Sequence, residues 1–329
     1  MRAPCNLVKR SKCAIYCAVL VVTLNSVIFY KKQEDSRTCV SGVEHRSRGP
    51  IDGADPRVVA LVRENYLQQP SNLPYNLSTN PKYKAAAKQD SWGLIYAYTR
   101  TMFEGHRGGV FIESGALDGE YLSNTLWLEQ ELGWTGLLVE PDPDSFRQMT
   151  FKHRKAWTTN TCLSRTTYPQ ETIHVGLRLG PGYVGNRWNY RGSSHTIGVQ
   201  LGSAIYDKFL SLSEETYHTV QCFPLVSYLR ALNMSTVDLL VLDMQGVEKD
   251  VLRAFLPSHP DLSVRVIVVE VTDDTPDLTF QHFMTTAGYT WVNQNKSSEW
   301  NDYIYVKRDD PDFSRISQLF KYLKTQLVK

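Results

Sequence analysis

The sequence predicts an α/β domain on a buried, mostly parallel sheet with an antiparallel edge, carried behind an N-terminal transmembrane helix. Three observations predict it. From about residue 86 onward, short continuous apolar runs alternate with amphipathic stretches, as in a sheet covered by helices on both faces. The last two strand-like runs are separated by only a short loop, so they pair antiparallel at the sheet edge. Near the N-terminus, CAIYCAVLVVTLNSVIFY (13–30) carries no charge.

That first segment fixes the chain's topology. Its 18 residues make about 27 Å of helix, close to the thickness of a bilayer core. Arg2, Lys9, Arg10 and Lys12 precede it, whereas Lys31 and Lys32 are followed by Glu34 and Asp35, a bias that keeps the N-terminus cytosolic. No small-x-small cleavage site follows the run, so a type II signal anchor is expected rather than a removed leader. The chain then divides into a cytosolic tail (1–12), the anchor (13–30), a lumenal stem (31–85), the α/β domain (86–308) and a C-terminal tail (309–329). The domain would face the lumen of the secretory or endosomal system (endoplasmic reticulum, Golgi or endosome) or the outside of the plasma membrane. Asn76, Asn233 and Asn295 open N-x-S sequons, which agree with that placement and with a glycoprotein. Cys5, Cys13 and Cys17 lie in or beside the anchor, where acylation and plain packing are both open. Cys39, Cys162 and Cys222 would meet an oxidising compartment; a Cys162–Cys222 bridge is expected, leaving Cys39 in the stem for a partner chain, as in a dimer.

The stem is polar and punctuated by Pro50, Pro56, Pro70, Pro74 and Pro81, with one helical patch in DPRVVALVRENYL. A helix over AAAKQDSWGLIYAYTRTMF leads into the domain. Strands are expected at GVFIES (109–114), GLLVE (136–140), KAWTTN (155–160), VDLLVLDM (237–244) and VRVIVVEVT (264–272). Helices are expected at YLSNTLWLEQEL, DSFRQMTFKH, LVSYLRAL, VEKDVLRAFL and FQHFMTTA, before the edge strands GYTWVNQ and DYIYVKR. Residues 176–217 break the alternation and read as a mobile insertion.

Formal charge is only +2, and no basic run is interleaved with aromatics, so a nucleic-acid partner is not expected. C-x-x-C, H-E-x-x-H and G-x-S-x-G are absent from the sequence, which removes the usual support for zinc or triad hydrolase chemistry. No metal site is expected.

The informative stretch is FIESGALDGE (111–120), a strand, an acidic glycine turn and a helix start. In an open α/β sheet ligands lie beyond the carboxyl ends of the strands. Gly115 and Gly119 permit a close approach to backbone. Yet the dinucleotide fingerprint G-x-G-x-x-G is broken by Leu117, and Asp118 and Glu120 would repel a phosphate. Acids at strand ends (Glu113, Glu140 and Asp243) suit a positively charged nucleoside instead, Glu140 being placed to accept hydrogen bonds from ribose hydroxyls. S-adenosylmethionine carries both an ammonium and a sulfonium. The competing reading is structural, with acids such as Asp118 and Asp142 capping the helices that follow their strands.

The runs GVFIESGALDGEYLSNTLWLEQELGWTGLLVEPDPDSF, KAWTTNTCLS and VDLLVLDMQGVEKDVLRAF resemble the FkbM-type methyltransferase domain over roughly residues 90 to 307. The run DGEYLSNTLWLE followed by GWTGLLVEPDP is similar to the membrane-anchored animal branch that includes Star, a type II membrane protein in the export of EGF-receptor ligands. The resemblance implies a class I methyltransferase (Rossmann-like) sheet binding S-adenosylmethionine, with Gly115, Asp118 and Gly119 in the first motif and Glu140 as the ribose acid. It departs in two places. Leu117 stands where the family usually has Asn, and Asp243-Met244-Gln245-Gly246 replaces D-x-E-G, removing a carboxylate able to act as base or metal ligand.

Three functions follow from this reading. One is O-methyl transfer, for which alignment of donor and acceptor does most of the work. Asp243 and Glu248 are the catalytic candidates, while His195 and His218 lack a recognisable partner. Trp188 and Tyr190 would line an acceptor site or anchor the insertion. The second is a trafficking adaptor that keeps the fold as a scaffold for membrane-protein cargo such as growth-factor ligands. The third, a glycosyltransferase, rests only on Asp142-Pro143-Asp144, which reads better as a proline-started helix with an N-cap.

Overall fold

The computed structural model describes residues 50–81, 90–179, 191–199, 213–271, 277–296 and 301–318. The anchor segment 13–30, Cys39 and the aromatic pair Trp188 and Tyr190 lie outside these residues. Among the described residues no helix is long and apolar enough to cross a membrane. All elements below belong to one compact unit, Ile51–Lys329.

In chain order these are α1 (Pro56–Leu61, extended by a π turn, Val62–Tyr66), α2 (Asp90–Met102), β1 (Val110–Ser114), α3 (Leu126–Leu132), β2 (Thr135–Val139), α4 (Pro143–Thr150), β3 (Trp157–Thr159), β4 (Cys162–Leu163), β5 (Gln170–Leu179), β6 (His195–Thr196), β7 (Ser213–Phe223), α5 (Leu225–Ala231), β8 (Thr236–Leu242), α6 (Glu248–Phe255), β9 (Ser263–Val271), α7 (Leu278–Thr286), β10 (Tyr289–Lys296) and β11 (Asn301–Lys307). The main sheet has seven strands in the order β10-β11-β9-β8-β1-β2-β3. β3, β2, β1, β8 and β9 run parallel; β11 is antiparallel to β9 and β10 antiparallel to β11.

The apolar runs explain this arrangement. Side chains alternate between the two faces of a strand, so an unbroken apolar run must be covered twice. Phe111, Leu138, Leu239, Val241 and Val266 enter the core shared with α2, α3 and α4. Ile112, Leu137, Leu240, Leu242 and Ile267 enter the opposite core, shared with α1, α5, α6 and α7. Each fully buried Leu or Ile contributes about 1.5–3 kcal/mol. Caps set the helix starts: Asp142 accepts the Ser145 amide (2.7 Å) ahead of Pro143, and Asp277 accepts those of Thr279 and Phe280 (both 3.0 Å).

Two elements differ from expectation. The helix expected from Tyr121 begins only at Leu126, because residues 123–125 direct amide and hydroxyl groups to a buried carboxylate, as described below. Part of the predicted insertion is regular, with β5, β6 and β7 joining β4 in a second sheet of order β4-β7-β5-β6. The disulfide Cys162–Cys222, between the residues paired from the sequence, fastens β4 to β7 in register. Residues 180–190 and 200–212 lie outside the described residues.

The later part of the expected stem lies along the domain surface. The Ser227 hydroxyl donates to the Gly53 carbonyl (2.7 Å), Gln68 exchanges backbone hydrogen bonds with Thr158 (2.8 and 3.1 Å), and the Ser78 amide reaches the Glu120 carboxylate at 2.8 Å. Sequon residues Asn76 and Asn233 are exposed.

Candidate functional site

From β1 the chain runs to β2 and β3 on one side and, later, to β8 and β9 on the other, so the order reverses at β1. A ligand crevice is expected there, at the carboxyl ends of the strands. Its floor is the turn after β1. Gly115 has φ +86°, and a Cβ there would lie 1.8 Å from the Asp243 carbonyl oxygen, so only glycine lets the ends of β1 and β8 come together. Leu117 is left-handed (φ +51°), a conformation that costs a leucine roughly 1–2 kcal/mol and that Asn tolerates. Its amide donates to Glu140 Oε2 (2.7 Å), while Glu140 Oε1 accepts from the Asp142 amide (2.8 Å).

The predicted acids fall into two groups. Glu113 and Asp118 face their own loop. Glu113 accepts from Ser123 Oγ (2.8 Å), the Asn124 amide (2.9 Å) and Thr125 Oγ1 (2.5 Å). Asp118 takes the amides of Glu120 and Tyr121 and lies 3.4 Å from Lys152 Nζ. In the structure both carboxylates hold the turn after β1 in shape. Gly119 (φ +75°) closes the same turn. Arg154 supports it from beneath: its guanidinium pairs with Glu129 (3.0 Å) and donates to the Gly119 carbonyl and to Ser123 and Thr125.

Glu140 and Asp243 remain at the crevice, and Glu270 joins them. Gln245, in a left-handed conformation (φ +58°), donates from Nε2 to Asp243 Oδ1 (2.9 Å) and Glu270 Oε1 (3.1 Å); its buried Oε1 has no partner among the described residues. Glu248 accepts from the amides of Met244 (2.5 Å) and Gly246 (2.9 Å) and so ties down the loop before α6. Among the described residues none of Glu140, Asp243, Glu248 and Glu270 is paired with a lysine or arginine, and all four titrate high. Desolvation is the main cause in each. It is reinforced by Asp142 at Glu140 and by Asp243 at Glu248 and Glu270; Asp302 and Glu113 add to it at Asp243. Asp243 and Glu248 are pushed up to about 7. Glu270 obeys the same acid-at-strand-end rule as Glu140, within the quoted run VRVIVVEVT, and that rule would have found it.

The second sheet reaches both sides of the crevice. Arg178 on β5 lies 2.5 Å from Asp142 and 3.3 Å from Asp144, following β2. Desolvation would raise the Asp142 carboxyl, but the Arg178 bond and charge outweigh it and hold the group low. On the other side, a Cβ at Gly246 would lie 2.4 Å from Val199 Cγ1, beyond β6. Asp142 and Asp144 therefore serve a cap and a salt bridge. Among the described residues no group of three His, Cys, Asp or Glu is placed to hold a metal. His195 Nδ1 lies 3.3 Å from the Ser193 carbonyl, and burial lowers the ring's pKa.

The strand order, with its reversal at β1 and its antiparallel β11 wedged beside β9, defines a Rossmann-like class I methyltransferase fold. The chain belongs to the methyltransferase FkbM domain family, whose model matches residues 113–313. No curated protein matches the sequence. Among solved structures, a TehB-like SAM-dependent methyltransferase from Corynebacterium glutamicum shares 14% identity over 69% of this chain and 93% of that one, with a TM-score of 0.33. The human methyltransferase 10 domain containing protein shares 10% over 79% and 100%, at 0.35. The N-terminal domain of human METTL16 in complex with SAH shares 11% over 78% and 84%, at 0.34. The fold assignment rests on the strand order and the family match.

Proposed function

We propose that this chain is an S-adenosylmethionine-dependent methyltransferase that transfers to a hydroxyl acceptor, on a type II membrane anchor with its domain on the lumenal or extracellular side. The observation that carries this reading is the set of carboxylates at the switch point, Glu140, Asp243 and Glu270, with no basic side chain paired to them among the described residues. Such a set disfavours phosphates and fits a cation. S-adenosylmethionine, when bound, supplies a methyl group on a positively charged sulfur. Glu140 would hold the ribose hydroxyls: each of its oxygens takes one backbone N–H and keeps a lone-pair direction for a further donor. Asp243 and Glu270, aligned by the Gln245 amide, would stabilise positive charge, and Gly115 would leave room at the floor. The Cys162–Cys222 disulfide, the sequons and the apolar N-terminal segment support an oxidising, membrane-bounded compartment.

Calorimetric titration of the full chain in detergent with S-adenosylmethionine and its demethylated product is the test. Glu140→Ala is expected to weaken binding roughly tenfold or more, since it removes charge-assisted hydrogen bonds. No binding by the folded chain would sink the reading.

One observation favours a second function. Gln245 places a non-basic amide between Asp243 and Glu270 where D-x-E-G would supply a carboxylate. A chain that binds the cofactor without turnover would act as a Star-like adaptor for membrane-bound growth-factor ligands. Cofactor binding combined with no product from any hydroxyl acceptor would favour it.

A further inference from the structure

The second sheet carries a row of polar side chains that no role above accounts for. His174 on β5 stands opposite His218 on β7 and opposite Thr196 on β6, so the three residues lie side by side across three strands. His174 is only 3% exposed, and neither ring nitrogen has a hydrogen-bond partner among the described residues. His218 Nε2 and Thr196 Oγ1 are likewise buried without partners. Four orphaned polar atoms in one row are costly, since each buried donor or acceptor left unmade has given up water without a replacement.

The row faces the crevice. Gly176 shares the face of His174, and a Cβ there would lie 2.8 Å from Asp142 Oδ2, so this face packs on the segment following Glu140. Three residues beyond Thr196, Val199 packs on Gly246, next to Gln245. The row thus lies on a sheet whose neighbouring residues touch the segments after both β2 and β8.

We propose that Thr196, His174 and His218 form the subsite that receives and orients the methyl acceptor, and that they select a neutral, hydroxyl-bearing group. This rests on the methyltransferase reading of the crevice. A neutral imidazole presents one N–H donor and one acceptor nitrogen, and a hydroxyl both donates and accepts, so the two are complementary in pairs. Burial keeps His174 neutral, its pKa pushed down to about 4 against the pull of Asp142, with His195, His218 and Arg178 acting in the same downward direction. An anionic acceptor would meet Glu140, and Arg178, the cation on this face, is already held by Asp142. A metal ion would find two imidazoles and a weak hydroxyl, fewer strong donors than a tight site takes.

The experiment is imidazole NMR on the full chain in detergent micelles, labelled with ¹⁵N only at its eight histidines. His174→Gln and His218→Gln assign the signals. Glycerol and methyl β-glucopyranoside serve as neutral hydroxyl probes, added with and without S-adenosylhomocysteine. Saturable shifts of the His174 and His218 signals with the hydroxyl probes are expected, weakened roughly tenfold in the near-isosteric Thr196→Val variant. S-adenosylhomocysteine alone should leave those two signals in place. Three results would overturn the proposal: no shift with either probe, the same shifts from S-adenosylhomocysteine alone (assigning the row to the cofactor), or saturation by Zn²⁺ with no response to the hydroxyl probes. If S-adenosylhomocysteine fails to bind while the hydroxyl shifts persist, the methyltransferase reading falls and the hydroxyl site stands.

Discussion

Arg154 shows how one side chain can hold a site it does not touch. Its guanidinium and the Glu129 carboxylate are fully buried together, and the remaining N–H groups support the turn at Gly119, Ser123 and Thr125. Replacing Arg154 by Met leaves Glu129 charged and unpaired in the core, an expected loss of about 3–5 kcal/mol in chemical denaturation. Adding Glu129→Gln should recover much of that loss; a double variant no more stable than the single would contradict this account. Residue scale is also where the sequence was least legible. Acids at strand ends can be listed from sequence, but the two-residue period decides which way each one points. Glu113 shares a face with Phe111, towards the core beneath α3, and is absorbed by residues 123–125. Glu140 and Asp243 fall beyond the last paired residues of β2 and β8 and stay at the crevice.

At the scale of elements, the main sheet was legible because runs such as VDLLVLDM have one stable solution, burial on both faces. The second sheet was not. Gln170–Leu179 does alternate, with Ile173, Val175 and Leu177 on one face, but the glycine-rich run that follows it reads as a loop and conceals a hairpin whose strands lie some 35 residues apart. Nothing local pins that pairing. The Cys162–Cys222 bridge, at a sequence separation of 60, fixes only the other edge of β7, against β4. A closed loop of that length is worth about 4 kcal/mol in the chain-entropy model. Cys162→Ser with Cys222→Ser is therefore expected to lower stability by about 2–4 kcal/mol in urea. Its hydrogen exchange should quicken first in β5 and β7, while β1, β8 and β9 keep their protection. Uniform loss across both sheets would show that the second sheet is not a separately opening unit.

For the whole molecule, the near-neutral net charge hides an uneven distribution, with carboxylates gathered at one end of the sheet and titrating high. The sign of the consequence follows from linkage. Asp243 and Glu248 have folded-state pKa values near 7, above their unfolded values, so both are protonated in either state at low pH and cost nothing there. As pH rises through the unfolded carboxylate range, the unfolded chain ionises first; the folded state loses stability up to about pH 7, and the penalty then levels off. A bound cation reverses this preference, because it favours the ionised carboxylates. Stabilisation by S-adenosylmethionine, read as the rise in Tm at fixed ligand concentration, is thus expected to grow from about pH 5.5 to about pH 8 and then flatten. S-adenosylhomocysteine, whose sulfur is uncharged, should show a shallower rise, and in Asp243→Asn the two ligands should converge. Equal slopes for both ligands in the parent chain would mean that the carboxylates answer to the ammonium and not to the sulfur. A flat response for both would place the cofactor away from the switch point altogether.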